Sequence, residues 1–148
     1  MHDLIGTWRL VDWTVTLGDR IVKPFGGKST GLLTYTEDGR MTASLMKMGR
    51  DSIGTTSFAE ATSRQRAAAS TGYISYAGSY HIDGDLVHHQ VELSLFPDWE
   101  GDIQTRRIAW IDAEDGTEQL ELSYVQNGAS REATNTLRWR RVPPERTG

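Results

Sequence analysis

The chain has 148 residues, enough to bury most of the apolar surface of one domain in a single core. Its 16 Lys and Arg against 20 Asp and Glu give a net charge of -4, which argues against nucleic acid or an anionic membrane surface as the main partner. Cysteine is absent, so disulfides and thiolate chemistry are excluded.

The N-terminal stretch MHDLIGTWRL enters a strand-like pattern directly, without a basic segment or a long apolar run. No apolar stretch approaches the roughly 20 residues of a membrane-spanning helix. We therefore expect a cytoplasmic protein with no membrane partner, unless a leader has been removed.

Short strands separated by turns account for most of the chain. Runs rich in Val, Ile, Thr, Tyr and Trp cover 4–17, 31–36, 40–47, 73–82, 86–96, 103–111, 118–126 and 133–142. Turn signals such as Gly18-Asp19, Asp83-Gly84 and Asn127-Gly128 lie between them. This pattern is typical of an all-β fold, either an antiparallel up-and-down β-barrel of about eight strands or a sandwich. We expect one domain over 1–142 and a frayed C-terminal tail at 143–148.

One segment, TTSFAEATSRQRAAASTG, departs from the strand pattern. Ser57 is a candidate N-cap, Glu60 three residues later would complete a capping box, and Gly72 is a possible stop. These signals predict one short helix at about 58–70. Its weakly apolar surface suits a lid over one end of a barrel, or packing outside the sheet.

The run LVHHQVELSLFPDW contains two adjacent histidines, which must point to opposite faces of a strand. With Asp83-Gly84 as a two-residue turn, Gly78 lies opposite His89 on the apolar and aromatic face of the hairpin. The pattern therefore predicts His89 inside the barrel and His88 outside it.

The same register places aromatic and apolar neighbours around His89. Tyr76 and Tyr80 are its diagonal neighbours, and Ile74 lies opposite Leu93 on the same inner face. Phenol hydroxyls would then be within reach of the imidazole. A core histidine bonded to a tyrosine or a water is the simplest role for such a residue.

Two further hairpins complete the predicted inner face. Glu37-Asp38-Gly39 as a three-residue loop pairs Tyr35 with Met41 and Leu33 with Ala43. In the hairpin that contains Tyr124, a five-residue loop at 112–116 brings in Gln104, Arg106, Ile108 and Trp110. A four-residue loop would instead bring in Ile103, Thr105, Arg107 and Ala109. We prefer the first arrangement.

This interior is too polar for a collapsed core, because each buried polar group without a partner costs about 1–3 kcal/mol. A cavity that holds water or one small ligand is the better explanation. The candidate ligand-binding residues are Tyr35, Tyr76, Tyr80, His89, Gln104, Arg106, Trp110 and Tyr124. Arg106 favours a ligand with a carboxylate, enolate or phenolate, unless it pairs with Asp12 or a backbone carbonyl.

Several motifs together resemble the lipocalin-like domain family of bacteria and fungi, a group of small calycin-type β-barrels. They are GTWRLVDW near the N-terminus, PFG at 24–26, GLLTYTEDGRM at 31–41, YAGSYHIDGD at 76–85 and VHHQVELSLFPDWEGDIQTR at 87–106. Residues that match the family pattern are His88, His89, Pro97, Trp99, Gly101, Gln104 and Arg106. The resemblance implies a compact barrel over nearly the whole chain. It also implies that the Trp8 of Gly-x-Trp is covered at the barrel floor by Arg138 or Arg140.

Two functions are open at this stage. The first is binding of a small, largely apolar organic ligand inside the barrel. The second is a cofactor-independent isomerase, cyclase or dehydratase acting on a specialised metabolite by acid-base catalysis. For some barrels of this type, the resemblance implies cyclases or isomerases in natural-product biosynthesis. In that case His89 and Tyr80 would exchange a proton and Arg106 would stabilise the developing charge, so these three are the candidate catalytic residues.

We expect neither a metal nor another cofactor. A metal site needs several converging ligands, whereas His88 and His81 are predicted on the outer face, away from His89. The expected partner is a small-molecule ligand or substrate, with no nucleic acid, and the chain is expected to be a monomer or a homodimer.

Overall fold

A computed structural model describes residues 2–127 and 132–145, so the predicted turn at Asn127-Gly128 and the end of the tail lie outside the described residues. The strands in chain order are β1 (Gly6–Leu17), β2 (Arg20–Val22), β3 (Ser29–Tyr35), β4 (Arg40–Lys47), β5 (Tyr73–Asp83), β6 (Leu86–Ser94), β7 (Ile103–Asp112), β8 (Glu118–Asn127) and β9 (Glu132–Arg141). An α-helix, α1, spans Ser63–Thr71, and short 3₁₀ turns occupy Pro24–Gly27, Phe58–Glu60 and Pro97–Trp99.

β1 closes the sheet into a barrel because it pairs with two strands. Its first residues pair with β3, from Gly6 opposite Tyr35 to Arg9 opposite Leu32. Its length from Trp8 to Thr16 pairs with β9, the last strand. Among the described strands, β2 pairs with β1 alone, so eight strands form the barrel. The predicted antiparallel up-and-down barrel is confirmed, and the strands do not form a sandwich.

Alternation along each strand separates the inner face from the outer one. On β6, Val87, His89 and Val91 are at most 1% exposed, whereas Glu92 is exposed. On β3, Leu33 and Tyr35 are buried and Leu32 between them is exposed. The β3–β4 hairpin has the predicted register, with Tyr35 opposite Met41 and Leu33 opposite Ala43.

The β5–β6 turn lies one residue later than predicted. Asp83 pairs with Leu86, so Gly84 and Asp85 form the two-residue loop, and His89 lies opposite Tyr80 rather than Gly78. Each strand has moved by one residue relative to the prediction, so residues of the same face still meet. His89 is therefore inside and His88 outside, as predicted, although the partner of His89 was wrong.

A β-bulge interrupts the β5–β6 pairing, because Gly78 pairs with Val91 while the preceding Ala77 pairs with Leu93. The extra residue reverses the alternation of β6, so Leu93 points outward with 70% of its surface exposed. Its predicted place on the inner face was wrong. At the bulge the backbones approach closely, and a Cβ on Gly78 would stand 1.8 Å from the carbonyl oxygen of Gln90.

The β7–β8 hairpin has a five-residue loop at 113–117, one residue later than the predicted 112–116, because Asp112 pairs with Glu118. As in the β5–β6 hairpin, the displacement leaves each face unchanged. Trp110 lies opposite Leu120 and Ile108 opposite Leu122, on the inner side. The preferred arrangement of this hairpin is therefore confirmed over its alternative.

The helix begins later than the predicted 58–70. Ser57 makes no capping bond, and Phe58–Glu60 is a separate 3₁₀ turn. Thr62 is the N-cap of α1 and forms a capping box with Gln65, and the helix ends at Gly72 as predicted. No residue of α1 is buried, so the helix packs on the outside of the barrel. Within the described residues, no helix has the length and apolar character needed to span a membrane.

Arg141, rather than Arg138 or Arg140, covers the tryptophan at the barrel floor. Its guanidinium carbon lies 4.3 Å from the centre of the Trp8 ring, and it also bonds Glu118 and the backbone carbonyl of Ile5. Arg138 pairs instead with Glu121. Arg141 follows the inward-facing Leu137 and Trp139 at a spacing of two, which explains why it reaches the floor.

The close approach at the bulge predicts that Gly78→Ala destabilises the fold. The added methyl group would meet backbone rather than a movable side chain, so we expect a loss of about 2 kcal/mol or more in the free energy of unfolding. Urea denaturation measures this loss. Ser79→Ala, on the same strand, should change stability by less than about 0.5 kcal/mol. Equal stability of Gly78→Ala and wild type would contradict this account of the bulge.

The floor contact predicts different effects at two adjacent arginines. Arg141→Met removes the cation over Trp8 and the hydrogen bonds to Glu118 and to the backbone, so it should lower stability by about 1–3 kcal/mol. The matched Arg140→Met acts on an exposed side chain and should be nearly neutral. Thermal denaturation of both variants makes the comparison. An equal shift for the two would argue against the role of Arg141.

Candidate functional site

A cavity lies between the inner faces of the barrel strands. It is lined by Trp13, Leu33, Ala43, Leu45, Ile74, Tyr76, His89, Trp99, Arg106, Leu122, Tyr124, Leu137 and Trp139. The space open to the centres of water molecules is about 70 Å³, several times the ~10–15 Å³ that one water needs. The cavity therefore has room for several waters.

His89 is bonded at both ring nitrogens to tyrosine hydroxyls. Tyr35 Oη lies 2.7 Å from Nε2, and Tyr76 Oη lies 2.7 Å from Nδ1. The imidazole is 1% exposed. Tyr35 lies on β3, Tyr76 on β5 and His89 on β6, so the three side chains connect β3 to the β5–β6 hairpin. This arrangement fixes both the ring of His89 and the hydroxyl of Tyr76 at the cavity wall.

The imidazole of His89 is neutral at physiological pH. Burial disfavours its charged form, and the cationic Arg106 adds to the effect, so the pKa of His89 falls from 6.5 to about 3. Both tyrosines stay protonated as well. Burial raises the pKa of Tyr76 to about 12, against a smaller lowering by Arg106, and burial also raises the pKa of Tyr35 well above its usual value.

Arg106 carries the positive charge of the cavity. Its guanidinium lies over the ring of Tyr124, with 3.6 Å between the guanidinium carbon and the ring centre. It donates hydrogen bonds to the Gln104 side chain at 3.1 Å and to the backbone carbonyl of Thr105 at 3.0 Å. Of the two alternative partners expected for Arg106, Asp12 pairs with Lys23 instead, whereas the backbone carbonyl is present, since Thr105 accepts from the guanidinium. Across residues 2–127 and 132–145, no carboxylate forms an ion pair with Arg106.

Four of the eight side chains proposed from the sequence as ligand-binding residues line the cavity, namely Tyr76, His89, Arg106 and Tyr124. The other four face inward but lie elsewhere. Tyr35 is behind His89, and Gln104 bonds Arg106. Tyr80 packs edge-on against Tyr35 and donates to the carbonyl of Thr36 at 2.8 Å. Trp110 lies at the floor, where it contacts Trp8 and stacks on His2.

Two of the three candidate catalytic residues therefore lie in the same cavity. His89 and Arg106 line one cavity, whereas the hydroxyl of Tyr80 is bonded to a backbone carbonyl. Of the two tyrosines expected beside His89, Tyr76 bonds the imidazole ring. Tyr80 lies opposite His89 in the β5–β6 pairing, but its hydroxyl donates to the Thr36 carbonyl.

Three tryptophans of the cavity wall were missed as site residues. Trp13 and Trp139 lie on inner faces of β1 and β9, and strand alternation was the available signal for both. Trp99 belongs to the Pro97–Trp99 turn and meets the Tyr76 ring edge-on at 6.2 Å. No periodicity predicts where a side chain in such a turn points. The indole nitrogen of Trp139 is buried and has no hydrogen-bond acceptor among the described residues.

The described part of the chain contains no group of three or more His, Asp or Glu side chains placed to hold a metal ion. His81 and His88 lie side by side on the outer face, with 4.7 Å between ring centres. His88 bonds the hydroxyl of Thr105 at 2.8 Å. The two outer histidines are thus separate from the cavity.

The model of a lipocalin-like domain family matches residues 5–142. The chain belongs to this family, as its motifs indicate. A comparison with curated proteins finds no significant match. A barrel of this family is suited to binding small molecules in general.

The buried neutral histidine predicts that the fold loses stability as the pH falls. His89 gains a proton near pH 6.5 in the unfolded chain but only near pH 3 in the folded one. The unfolded state therefore binds more protons between these values. The contribution of His89 to the free energy of unfolding is fully present above pH 6.5 and decreases as the pH falls below it. Between pH 7 and pH 5 we expect a loss of about 2 kcal/mol from this residue.

Urea denaturation at several pH values tests this expectation. His89→Gln should lose most of the slope between pH 7 and pH 5, whereas the matched His81→Gln, on the outer surface, should retain it. A slope that survives unchanged in His89→Gln would show that another group causes the pH dependence.

Proposed function

We propose that this protein binds a compact organic molecule, largely apolar and bearing one anionic oxygen group, inside the barrel. Carboxylates, enolates and phenolates are the candidate groups. The observation that carries the proposal is Arg106, a guanidinium at the cavity wall whose recorded partners are neutral oxygens. A partly buried cation without an anion is costly, and a bound anion offsets that cost.

The remaining wall supports an apolar body for the ligand. Leucine, isoleucine and tryptophan side chains form most of the lining, and Tyr76 and Tyr124 add aromatic faces. A ring-sized molecule with its charged end at Arg106 would meet apolar surface elsewhere. This combination of an apolar pocket with a few oriented polar groups is the usual composition of small-molecule sites.

Acid-base catalysis is the alternative, and the pKa values weigh against it. An efficient general base has a pKa near the working pH. Burial lowers the pKa of His89 to about 3, which makes the imidazole a weak base, and raises the pKa of Tyr76 to about 12, which makes the phenol a weak acid. We therefore place binding before a cofactor-independent isomerase or cyclase. The cytoplasmic location and the monomeric or homodimeric state stay predictions from the sequence.

Binding of benzoate and of its neutral counterpart benzyl alcohol tests the proposal on the full chain. Calorimetry should show benzoate binding to wild type and a loss of about tenfold or more in Arg106→Met, because a hydrogen bond to a charged group contributes about 1.5–3 kcal/mol. Benzyl alcohol should bind both proteins with similar affinity.

Arg107→Met is the matched control for this experiment. Arg107 is the next residue of β7, but it points outward and pairs with Asp85. Its replacement should leave benzoate affinity unchanged. Equal benzoate affinity in wild type and in Arg106→Met, or no binding of any compact carboxylate to wild type, would contradict the proposal.

A further inference from the structure

The three side chains Tyr35, His89 and Tyr76 form a chain of two hydrogen bonds whose direction is open in principle. A neutral imidazole carries one N–H donor and one bare nitrogen acceptor. One tyrosine must therefore donate to the ring, and the other must accept from it. The direction decides which hydroxyl has its proton left for a further partner.

The first possible direction places the proton of His89 on Nδ1. Tyr35 then donates to Nε2, and Nδ1–H donates to Tyr76. The Tyr35 hydroxyl and the Nδ1–H group then each have an acceptor. The Tyr76 hydroxyl accepts from His89, so its own proton is available for a further hydrogen bond. Because Tyr76 lines the cavity, that proton has water or a ligand as its partner.

The second direction places the proton on Nε2, so that Tyr76 donates to Nδ1 and Tyr35 accepts from the ring. The proton of Tyr35 would then need another acceptor. Tyr35 is 1% exposed and does not line the cavity, and within the described residues His89 is its hydrogen-bond partner. A buried hydroxyl proton without an acceptor bears its full desolvation cost, so this direction is disfavoured.

We propose that the chain runs from Tyr35 through His89 to Tyr76, so that the Tyr76 hydroxyl donates into the cavity and selects ligands with a hydrogen-bond acceptor beside Arg106. The part of this inference that concerns the ligand rests on the proposed function. Tyr35 acts as a positioning residue, since it sets the tautomer of His89 without contact with the cavity.

Other groups of the wall agree with a ligand rich in acceptors. Arg106 is a donor only, and the indole N–H of Trp139 is a donor without a partner in the described chain. In the preferred direction both nitrogens of His89 are already engaged. The polar wall therefore offers donors, and a carboxylate or enolate oxygen matches it better than a hydroxyl group that seeks an acceptor.

The tautomer of His89 is the direct test, and it needs no ligand. Long-range ¹H–¹⁵N NMR correlation of ¹⁵N-histidine-labelled protein at pH 7 distinguishes a ring with Nδ1–H from one with Nε2–H. His89 is assigned by the signals that disappear in His89→Gln. We expect the Nδ1–H form in excess by about tenfold or more. A predominant Nε2–H form would overturn the inference.

Tyr35→Phe tests the positioning role. Without the Tyr35 hydroxyl, the preference for Nδ1–H should weaken, and the Nε2–H form should become measurable in the same spectrum. A loss of packing alone would leave the tautomer unchanged. An unchanged Nδ1–H spectrum in folded Tyr35→Phe would therefore argue against Tyr35 as the residue that sets the direction.

Tyr76→Phe tests the donor to the ligand, with benzoate as the probe. The affinity of Tyr76→Phe for benzoate should be about tenfold lower than that of the wild type, since a hydrogen bond to a carboxylate is lost. Tyr73→Phe is the matched control on β5, because the Tyr73 hydroxyl bonds Ser44 instead of His89. Unchanged benzoate affinity in Tyr76→Phe would contradict the donor role.

The two proposals fail in distinguishable ways. An Nε2–H tautomer together with Arg106-dependent benzoate binding would overturn the direction of the hydrogen-bond chain and leave the proposed function intact. An Nδ1–H tautomer without binding of compact carboxylates would support the direction and contradict the proposed function.

Discussion

A buried imidazole needs a partner for each ring nitrogen, and in this barrel that requirement joins three strands. Tyr35 on β3 and Tyr76 on β5 meet the ring of His89 on β6 from opposite sides. Because burial and the nearby Arg106 keep the ring neutral and the two bonds satisfy its nitrogens, His89 needs no counter-charge. Arg106 therefore remains as the charged group of the cavity.

The inner face of the barrel was largely predictable from sequence, because a strand has only two faces. The β5–β6 and β7–β8 loops both lie one residue later than expected, yet His89, Arg106 and Ile108 point inward as predicted. When both strands of a hairpin move by one residue, side chains of the same face still meet. An error of one residue in the position of a turn therefore makes the predicted cross-strand partner wrong, but the predicted face of each residue stays right.

The sequence was less informative wherever alternation breaks or distant strands set the geometry. One bulge at Gly78 sent Leu93 outward, and a bulge has no reliable sequence signal beyond the glycine itself. Trp99 reaches the cavity from a turn, where no alternation of side chains predicts which way a residue points. Trp110 faces inward but lies at the floor against Trp8, a contact between strands that are distant in sequence and that no hairpin register predicts.

Arg106 and Arg107 show how the two faces of one strand separate the inside of the barrel from its surface. The two are neighbours in sequence and identical in type, but one touches the cavity and the other pairs with Asp85 on the surface. A substitution at Arg106 therefore changes the charge of the cavity, whereas a substitution at Arg107 changes the charge of the surface, so the two properties vary independently.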